Sequence, residues 1–101
     1  MQQMSVEDRT DGRWISLAGE WDQSDVLHHK AEFDQAVDDV SGDIIVDMSE
    51  LTFLGSLGIG LMVNTVERLE KTDRKVKLSG VPSFVEQTFQ VLNLSKLFER
   101  V

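Results

Sequence analysis

The amino-acid sequence predicts a single small α/β domain in which helices pack on one mixed β-sheet. Segments typical of strands and of amphipathic helices alternate along most of the 101 residues, as they do in parallel βαβ units. Two strand-like runs near the start are joined through Asp11 and Gly12, a pair that favours a hairpin turn. A β-branched run at residues 43–47 is typical of a strand buried in an α/β sheet. We therefore expect an N-terminal hairpin and then parallel βαβ units, with residues 1–101 forming one domain.

The hairpin and the first helix are predicted from turn chemistry and periodicity. The hairpin covers residues 5–17, and the chain then turns at residues 19–22 into a helix. Asp22 or Ser24 can serve as the N-cap of that helix. Its apolar residues recur at helical spacing and indicate a buried stripe of Val26, Phe33, Val37 and Val40. The helix is expected to end at residues 41–42.

The centre of the chain predicts a strand, a loop and a long helix. The strand covers residues 43–47, and residues 48–54 are expected to form the loop. The helix begins near residue 55 and extends to about residue 71. At about 100° per residue, one stripe of this helix consists of Ile59, Met62, Val63, Val66 and Leu69. That stripe is expected to face the core.

The last third of the chain predicts one more strand, helix and strand. Residues 75–78 form the first of these strands. Ser83 is a candidate N-cap for the third helix, with Glu86 three residues later completing a capping-box pattern. The apolar stripe of that helix is Phe84, Val85, Phe89 and Leu92. Residues 97–101 are expected to form the final strand.

Composition and charge narrow the classes of function. Ten Lys and Arg against eighteen Asp and Glu give a formal net charge of −8. Because nucleic-acid affinity comes mainly from cationic contacts to phosphate, the charge argues against that class, and it disfavours anionic membranes in the same way. A protein partner with a basic face would instead be attracted. The chain has no cysteine, no stretch long enough to span a bilayer and no signal-peptide pattern, so we expect a cytoplasmic protein without membrane insertion.

Three interpretations compete for residues 55–60, GSLGIG, at the junction of strand and helix. Nucleotide binding is disfavoured because the glycine spacing reverses the dinucleotide fingerprint and no phosphate-loop lysine follows. A hydrolase nucleophile elbow requires Gly-x-Ser-x-Gly, but Leu54 holds the first glycine position. His28 and His29 are adjacent on a helix and point about 100° apart, which makes a poor metal pair. We therefore expect no catalysis, no metal and no cofactor.

The third interpretation is that Ser56 is a modifiable residue at the start of a helix. Ser56 is a good N-cap, and that role alone would account for a serine here. A helix N-terminus also tolerates a phosphate, because its free N–H groups and dipole favour an anion. A phosphoserine would add about −1.5 to −2 charges at neutral pH without unfolding the helix. Such a residue can switch binding on and off.

The face of this helix opposite the core stripe contains a second candidate feature. The same angular geometry places Leu57, Leu61, Asn64 and Arg68 there. Two leucines one turn apart, next to Ser56, are either ordinary surface residues or an apolar docking patch. In the second case Arg68 would lie at the rim of the contact.

The residues around this junction resemble the signature of STAS domains, the anti-sigma factor antagonists. Residues 47–60 read DMSELTFLGSLGIG, and the usual family form is D-[LM]-S-x-[LV]-x-[FY]-[ML]-D-S-[ST]-G-[LI]-G. Residues 19–22, GEWD, are similar to the family's early G-E-[LI]-D turn. Residues 91–98, VLNLSKLF, resemble its Leu-x-Leu-x-x-Leu-Phe ending. The matches occur in the family's order and cover nearly the whole chain.

The resemblance implies a mixed sheet with helices and a partner-switching role. In that family the unphosphorylated protein binds an anti-sigma factor that is also a GHKL-type serine kinase, and this frees the sigma factor. Phosphorylation of the signature serine breaks the complex, and a metal-dependent serine phosphatase restores it. By position, that serine is Ser56. The expected partner-binding residues of this chain, a monomer on this interpretation, are Asp22, Gly55, Ser56, Leu57, Gly58, Leu61, Asn64 and Arg68.

Two positions depart from the family pattern and leave alternatives open. Gly55 replaces the aspartate, and Leu57 replaces the second Ser or Thr. Losing the carboxylate removes a group that could position the serine or its kinase. One alternative is a non-phosphorylated STAS subunit of a transporter, such as one that supports a lipid-transporter ATPase, or of another regulatory complex. Another is a ligand-sensing domain for a nucleotide or a small apolar molecule.

Overall fold

The computed structural model describes residues 3–101, over which the chain forms five strands and three helices. In chain order the elements are β1 (Gln3–Arg9), β2 (Gly12–Trp21), α1 (Gln23–Asp38), β3 (Ile44–Leu54), α2 (Ser56–Glu70), β4 (Val76–Ser79), α3 (Ser83–Val91) and β5 (Glu99–Arg100). The strands form one sheet in the order β1-β2-β3-β4-β5. β1 pairs with β2 antiparallel, and the other neighbouring strands pair in parallel. The predicted mixed sheet is therefore confirmed.

The turn between β1 and β2 is the predicted hairpin. Gly12 has φ of +141°, a conformation that favours glycine. A Cβ at this position would lie 2.6 Å from the carbonyl oxygen of Asp43, the residue just before β3. Glycine is thus required both by the backbone conformation and by the close approach of a neighbouring strand.

The loop predicted at residues 48–54 is wrong, because β3 continues to Leu54. The second half of β3 pairs with the end of β2, where Trp21 lies opposite Leu54. For the same reason residues 19–21 are strand and not turn. Two register irregularities interrupt this pairing, and the buried residues in this half of β3 are Met48, Leu51 and Leu54. Their spacing of three residues hides the strand from a search for period-two alternation.

The helices pack against the face of the sheet that carries the main core, to which Ile44, Val46 and Met48 of β3 belong, whereas Ile45 is buried outside that cluster. α1 contacts both β2 and α2, and α2 also contacts β4. α3 reaches the same face near β5, where the Phe89 ring stacks on Phe98 with centroids 5.0 Å apart. The predicted stripes of α1 and α2 are confirmed, with Val40 and Val63 only partly buried. In the third stripe Leu92 is 51% exposed, so its predicted burial is wrong, and α1 ends at Asp38, earlier than predicted.

The start of α3 differs from the predicted capping box. Pro82 is the N-cap, and Ser83 is the first helical residue with no side-chain cap. The Glu86 carboxylate is instead engaged by Arg100, with Oε1 and Nη2 2.5 Å apart, and this hydrogen bond holds the pKa of Glu86 below its usual range. Proline fits the cap because its fixed φ matches the extended conformation there and its missing N–H is not needed. Within residues 3–101, no helix is long and apolar enough to cross a membrane.

Candidate functional site

The starts of α1 and α2 lie side by side where two parallel strands end. β2 and β3 are neighbours, and their last residues, Trp21 and Leu54, lie opposite each other. The Gly55 N–H donates a hydrogen bond to the Trp21 carbonyl oxygen at 3.1 Å. The N-cap residues of the two helices, Asp22 and Gly55, are therefore held close together.

The start of α1 is closed by its own side chains. The Asp22 carboxylate accepts a hydrogen bond from the Asp25 N–H at 3.0 Å, and the Asp25 carboxylate accepts one from the Asp22 N–H at 3.1 Å. The Asp25 N–H, followed by the Ser24 hydroxyl, lowers the pKa of the Asp22 carboxyl below its usual range. The predicted N-cap role of Asp22 is confirmed. Asp22 is exposed, and its contact with a partner stays a prediction.

The start of α2 has no such closure. Its N-cap is Gly55, and among the described residues no side chain caps this end of the helix. Gly55 has φ of −79° and ψ of 175°, an extended conformation that any residue adopts. Ser56 is the first residue of α2, so the N-cap role predicted for it is wrong. Its side chain lies exposed at the surface, where a modifying enzyme can reach it.

An apolar groove runs between α1 and α2 from the position of Ser56. It has a volume of about 300 Å³ and is lined by Val26, Leu27, Lys30, Ser56, Leu57, Gly60, Leu61 and Asn64. Leu27 and Leu57 remain exposed, with 60% and 39% of their surfaces accessible. The structure thus brings together four of the residues predicted at the partner-binding face, which are Ser56, Leu57, Leu61 and Asn64.

Two of the predicted partner-binding residues of α2, Gly58 and Leu61, are buried. Leu61 is 8% exposed and forms part of the groove floor, and Gly58 is also buried. A Cβ at Gly58 would lie 2.4 Å from Leu54 Cδ1 and 3.5 Å from Val26 Cγ2. The helical-wheel prediction assumed a single buried stripe, whereas α2 packs against both the sheet and α1 and buries a wider arc. Gly58 therefore permits close packing of α2 against Leu54 and α1, and its contact with a partner stays a prediction.

Arg68 is not among the residues that line the groove. Its guanidinium faces α1, with Nη2 3.4 Å from Asp38 Oδ1 and 3.7 Å from Asp34 Oδ1. Asp34 also pairs with Lys30, at 2.5 Å between Nζ and Oδ2. Arg68 is thus an interhelical ion-pair residue, and this arrangement is invisible on a wheel of α2 alone.

Four residues that line the groove are not among the predicted site residues. Val26, Leu27 and Lys30 come from α1, where Val26 is predicted only as a core residue, and Gly60 is a glycine of α2 that the sequence indicates only as part of a motif. The contact between the two helices is a tertiary feature, so no pattern in either segment indicates it. Leu27 alone gave a signal, because it stands beside the apolar stripe of α1 without belonging to it.

The groove is suited to recognition. Within residues 3–101 no group of three or more His, Asp or Glu side chains could hold a metal ion. The His29 ring lies 4.9 Å from the Trp21 ring, and its Nδ1 is 3.2 Å from Glu32 Oε1. Neither histidine lines the groove. The groove thus presents a mainly apolar surface with the hydroxyl of Ser56 at one end.

A protein-family model matches nearly the whole chain. A family model described as "Mlab, STAS domain" matches residues 4–99. Among curated proteins, an anti-sigma-B factor antagonist of Staphylococcus aureus (strain NCTC 8325 / PS 47) is 24% identical over 96 residues. That alignment covers 93% of this chain and 89% of the relative.

Solved structures of anti-sigma factor antagonists have the same fold. The unphosphorylated form of SpoIIAA superposes with a TM-score of 0.80 at 25% identity, covering 98% of this chain and 88% of that one. An anti-sigma factor antagonist from Mycobacterium paratuberculosis gives 0.85 at 23% identity, with 99% and 85% covered. The phosphorylated form of Bacillus SpoIIAA gives 0.76 at 24% identity, with 98% and 91% covered.

Proposed function

Because this chain belongs to the STAS domain family, we propose that it is an anti-sigma factor antagonist, a partner-switching protein and not an enzyme. Its partner is an anti-sigma factor that is also a GHKL-type serine kinase. The kinase phosphorylates Ser56 and thereby ends the complex, and a metal-dependent serine phosphatase reverses the modification. The relatives named above, with SpoIIAA known in both phosphorylated and unphosphorylated forms, support this assignment. Sigma factors act on transcription, so the protein works in the cytoplasm.

The observation that carries the proposal is the position of Ser56. This residue is exposed, begins α2 and lies at one end of an apolar groove. A phosphate there is compatible with the helix because the helix dipole favours negative charge at the N-terminus. The same phosphate changes the surface that a partner meets, because it adds about −1.5 to −2 charges beside exposed leucines. Phosphorylation of Ser56 would thus change the binding surface while the fold stays intact.

A second candidate is a STAS subunit that binds its partner constitutively, in a transporter or another regulatory complex. Two observations favour it. Gly55 offers no carboxylate beside Ser56, and Leu57 replaces a hydroxyl residue of the family pattern with an exposed apolar side chain. Both changes make the surface more apolar and leave the serine with fewer polar neighbours.

Phosphorylation by candidate kinases distinguishes the two functions. The purified protein is incubated with ATP and each GHKL-type kinase of its source organism, and intact mass and peptide maps are measured. We expect one phosphate on Ser56, none in Ser56→Ala, and release of the kinase from the phosphorylated protein. Stable binding to a protein partner with no phosphate on Ser56 would contradict the switch and support the constitutive subunit.

A further inference from the structure

β1 forms one edge of the sheet, and its outer side has no partner strand. Among residues 3–101 no strand pairs there, and the opposite edge strand, β5, is only two residues long. β1 pairs with β2 over seven residues without a register irregularity. The strand contains no lysine and no proline, two residue types that commonly protect sheet edges from further pairing. β1 therefore offers a regular edge to which another strand can add by main-chain hydrogen bonds.

The pairing of β2 identifies the backbone groups of β1 that point outward. The Arg13 N–H donates a hydrogen bond to the Asp43 carbonyl oxygen at 3.0 Å, so the backbone groups of Arg13 point away from β1. The residue opposite Arg13 in the hairpin is Asp8, and these two therefore form a non-hydrogen-bonded pair. Hydrogen-bonded and non-hydrogen-bonded pairs alternate along antiparallel strands. The N–H and C=O groups of Met4, Val6 and Asp8 therefore point outward from the sheet edge.

The charges beside this edge are balanced, although the protein as a whole is acidic. The formal net charge is −8, so two copies repel each other overall. At β1, Glu7 pairs with Arg9, with Oε2 and Nε 3.1 Å apart. Asp8 pairs with Arg13 of β2, with Oδ1 and Nε 2.7 Å apart. Each carboxylate is thus matched by a guanidinium group, and two copies can approach each other at this edge without a local excess of negative charge.

We propose that β1 pairs antiparallel with β1 of a second copy of this chain, so that the two sheets join into one. The two-fold axis passes through Val6, which lies opposite Val6 of the second copy, and Met4 lies opposite Asp8. This register uses every residue of β1 whose backbone groups point outward. The inference goes beyond the proposed function and does not depend on it, because no residue of β1 lines the groove beside Ser56.

The side-chain pairs across the axis favour this register. Glu7 lies opposite Ser5 and Arg9 lies opposite Gln3, so no like charges are directly opposed. An axis through Glu7 would set its carboxylate opposite that of the second copy, which is unfavourable. An axis through Ser5 would leave Asp8 and Arg9 outside the paired part of β1. The proposed axis therefore pairs the whole of β1 without opposing like charges.

Apolar contact at the axis adds to the main-chain hydrogen bonds. Val6 is 43% exposed and lies opposite Ile15, a buried core residue, so the Val6 side chain is on the face of the sheet that carries the core. Met4 packs against the core from the same face. Contact between the two Val6 side chains removes apolar surface from water. A single pair of seven-residue strands buries less than roughly 800 Å² per partner, the area of a stable interface, so we expect a reversible dimer with a dissociation constant on the order of 100 µM.

Concentration series test the dimer on the unmodified protein. We expect the weight-average mass from sedimentation equilibrium to rise from that of one chain towards that of two as the concentration passes about 100 µM. Added salt should strengthen the association, because it screens the repulsion between two acidic chains. Amide hydrogen exchange followed by NMR reports the register. Exchange of the Val6 N–H should be slower by about threefold or more at about 1 mM than in dilute solution, whereas exchange of the Glu7 N–H, which points to β2, should not change.

Two substitutions at the axis test the self-pairing directly. Val6→Lys and Val6→Glu each place two like charges opposite one another, and each should weaken self-association by about fivefold or more. Val6→Lys also reduces the net negative charge of the chain, so overall repulsion predicts the opposite change for that variant. An equimolar mixture of the two variants sets opposite charges across the axis and should associate more tightly than either variant alone. Val6→Thr, which is uncharged and also β-branched, is the matched control and should stay within about threefold of wild type.

Each of these measurements can overturn the proposal. Wild-type protein that remains a monomer at about 1 mM in high salt would do so. Charged variants that associate as tightly as wild type, or a Val6 N–H whose exchange does not change with concentration, would place the contact elsewhere on the surface. A mixture of the charged variants that associates no more tightly than either alone would rule out pairing at Val6. Circular dichroism confirms that the variants are folded, and the exchange measurement needs no variant. Phosphorylation of Ser56 enters none of these measurements, so failure of the dimer and failure of the proposed function are distinguishable.

Discussion

The starts of α1 and α2 have nearly the same backbone but are stabilised in different ways. The N-cap residues Asp22 and Gly55 have φ of −82° and −79° and are both extended at ψ. At α1, side-chain hydrogen bonds between Asp22 and Asp25 close the first turn. At α2 no described side chain caps the helix, and Gly58 in the first turn is instead packed tightly against Leu54 and Val26.

The difference between these two helix starts shows that a helix start without a side-chain cap can still be fixed by packing on its buried side. A capped start uses its N–H groups and its polar side chains within the helix. A packed start is fixed from its buried side, so the exposed side stays free of internal contacts. Ser56 is on that exposed side, next to the groove. The first turn of α1 is thus closed by its own side chains, whereas the first turn of α2 has no side-chain cap among the described residues.

The largest effect is expected from replacing Gly58, because packing is what holds the start of α2. Gly58→Leu forces a side chain into the space of Leu54 and Val26, where even a Cβ would lie 2.4 Å from a methyl carbon of Leu54. We expect a loss of about 3 kcal/mol and a melting temperature lower by more than about 10 °C. Thermal unfolding followed by circular dichroism measures this. Gly60→Leu is the matched control, since the same residue two positions along enters open space. Equal melting temperatures for the two variants would show that packing does not fix this helix start.

The contrast between Gly58 and Gly60 shows which features of the molecule can be predicted from the sequence alone and which cannot. The hairpin, the alternation of elements and the buried stripes of α1 and α2 followed from turn chemistry and periodicity, and the structure confirms them. The position of the candidate serine at the strand–helix junction was also predictable, because the motif lies there in the chain. Gly58 and Gly60, however, are indistinguishable in the sequence, and only the contacts of α2 with Leu54 and α1 separate a packing residue from a groove residue.

The features that could not be predicted depend on neighbours distant in the sequence. The extension of β3 to Leu54 requires β2 beside it, with register irregularities that break the period of burial. Burial of Leu61 and the ion pairs of Arg68 both require α1 against α2. A helical wheel describes one helix against one surface, so it assigns both residues to solvent. The groove is formed by α1 and α2 together, so the sequence of neither helix alone indicates it.

An intermediate effect is expected from removing the cap of α1. Asp22→Ala deletes the acceptor of the Asp25 N–H and lowers the melting temperature at pH 7, by less than Gly58→Leu does. Because the pKa of Asp22 is lowered in the folded state, its stabilisation is complete above the ordinary aspartate pKa of about 3.9 and is lost as the pH falls through the lower folded-state pKa. The difference between wild type and Asp22→Ala should therefore shrink below about pH 4.

Melting temperatures of the two proteins between neutral and acidic pH measure this difference. Asp22→Asn is the control, since asparagine caps a helix about as well as aspartate but does not titrate. A difference between wild type and Asp22→Ala that stays constant down to about pH 2 would show that the ionised carboxylate does not stabilise α1.

The smallest effect is expected from giving α2 the cap it lacks. Gly55→Asp is sterically allowed, because a Cβ at Gly55 would lie 3.5 Å from the Phe53 ring, an ordinary contact, and φ is not positive. Aspartate exceeds glycine as an N-cap by only a few tenths of a kcal/mol, so the melting temperature should rise by about 1–2 °C.

Gly55→Asn should give a similar rise, whereas Gly55→Ala, which adds a Cβ without an acceptor, should give none. A rise in all three variants would mean that reduced chain flexibility, and not capping, limits this helix start. No rise in any of them would mean that packing around Gly58 already holds α2 so firmly that its exposed end has no further influence on stability.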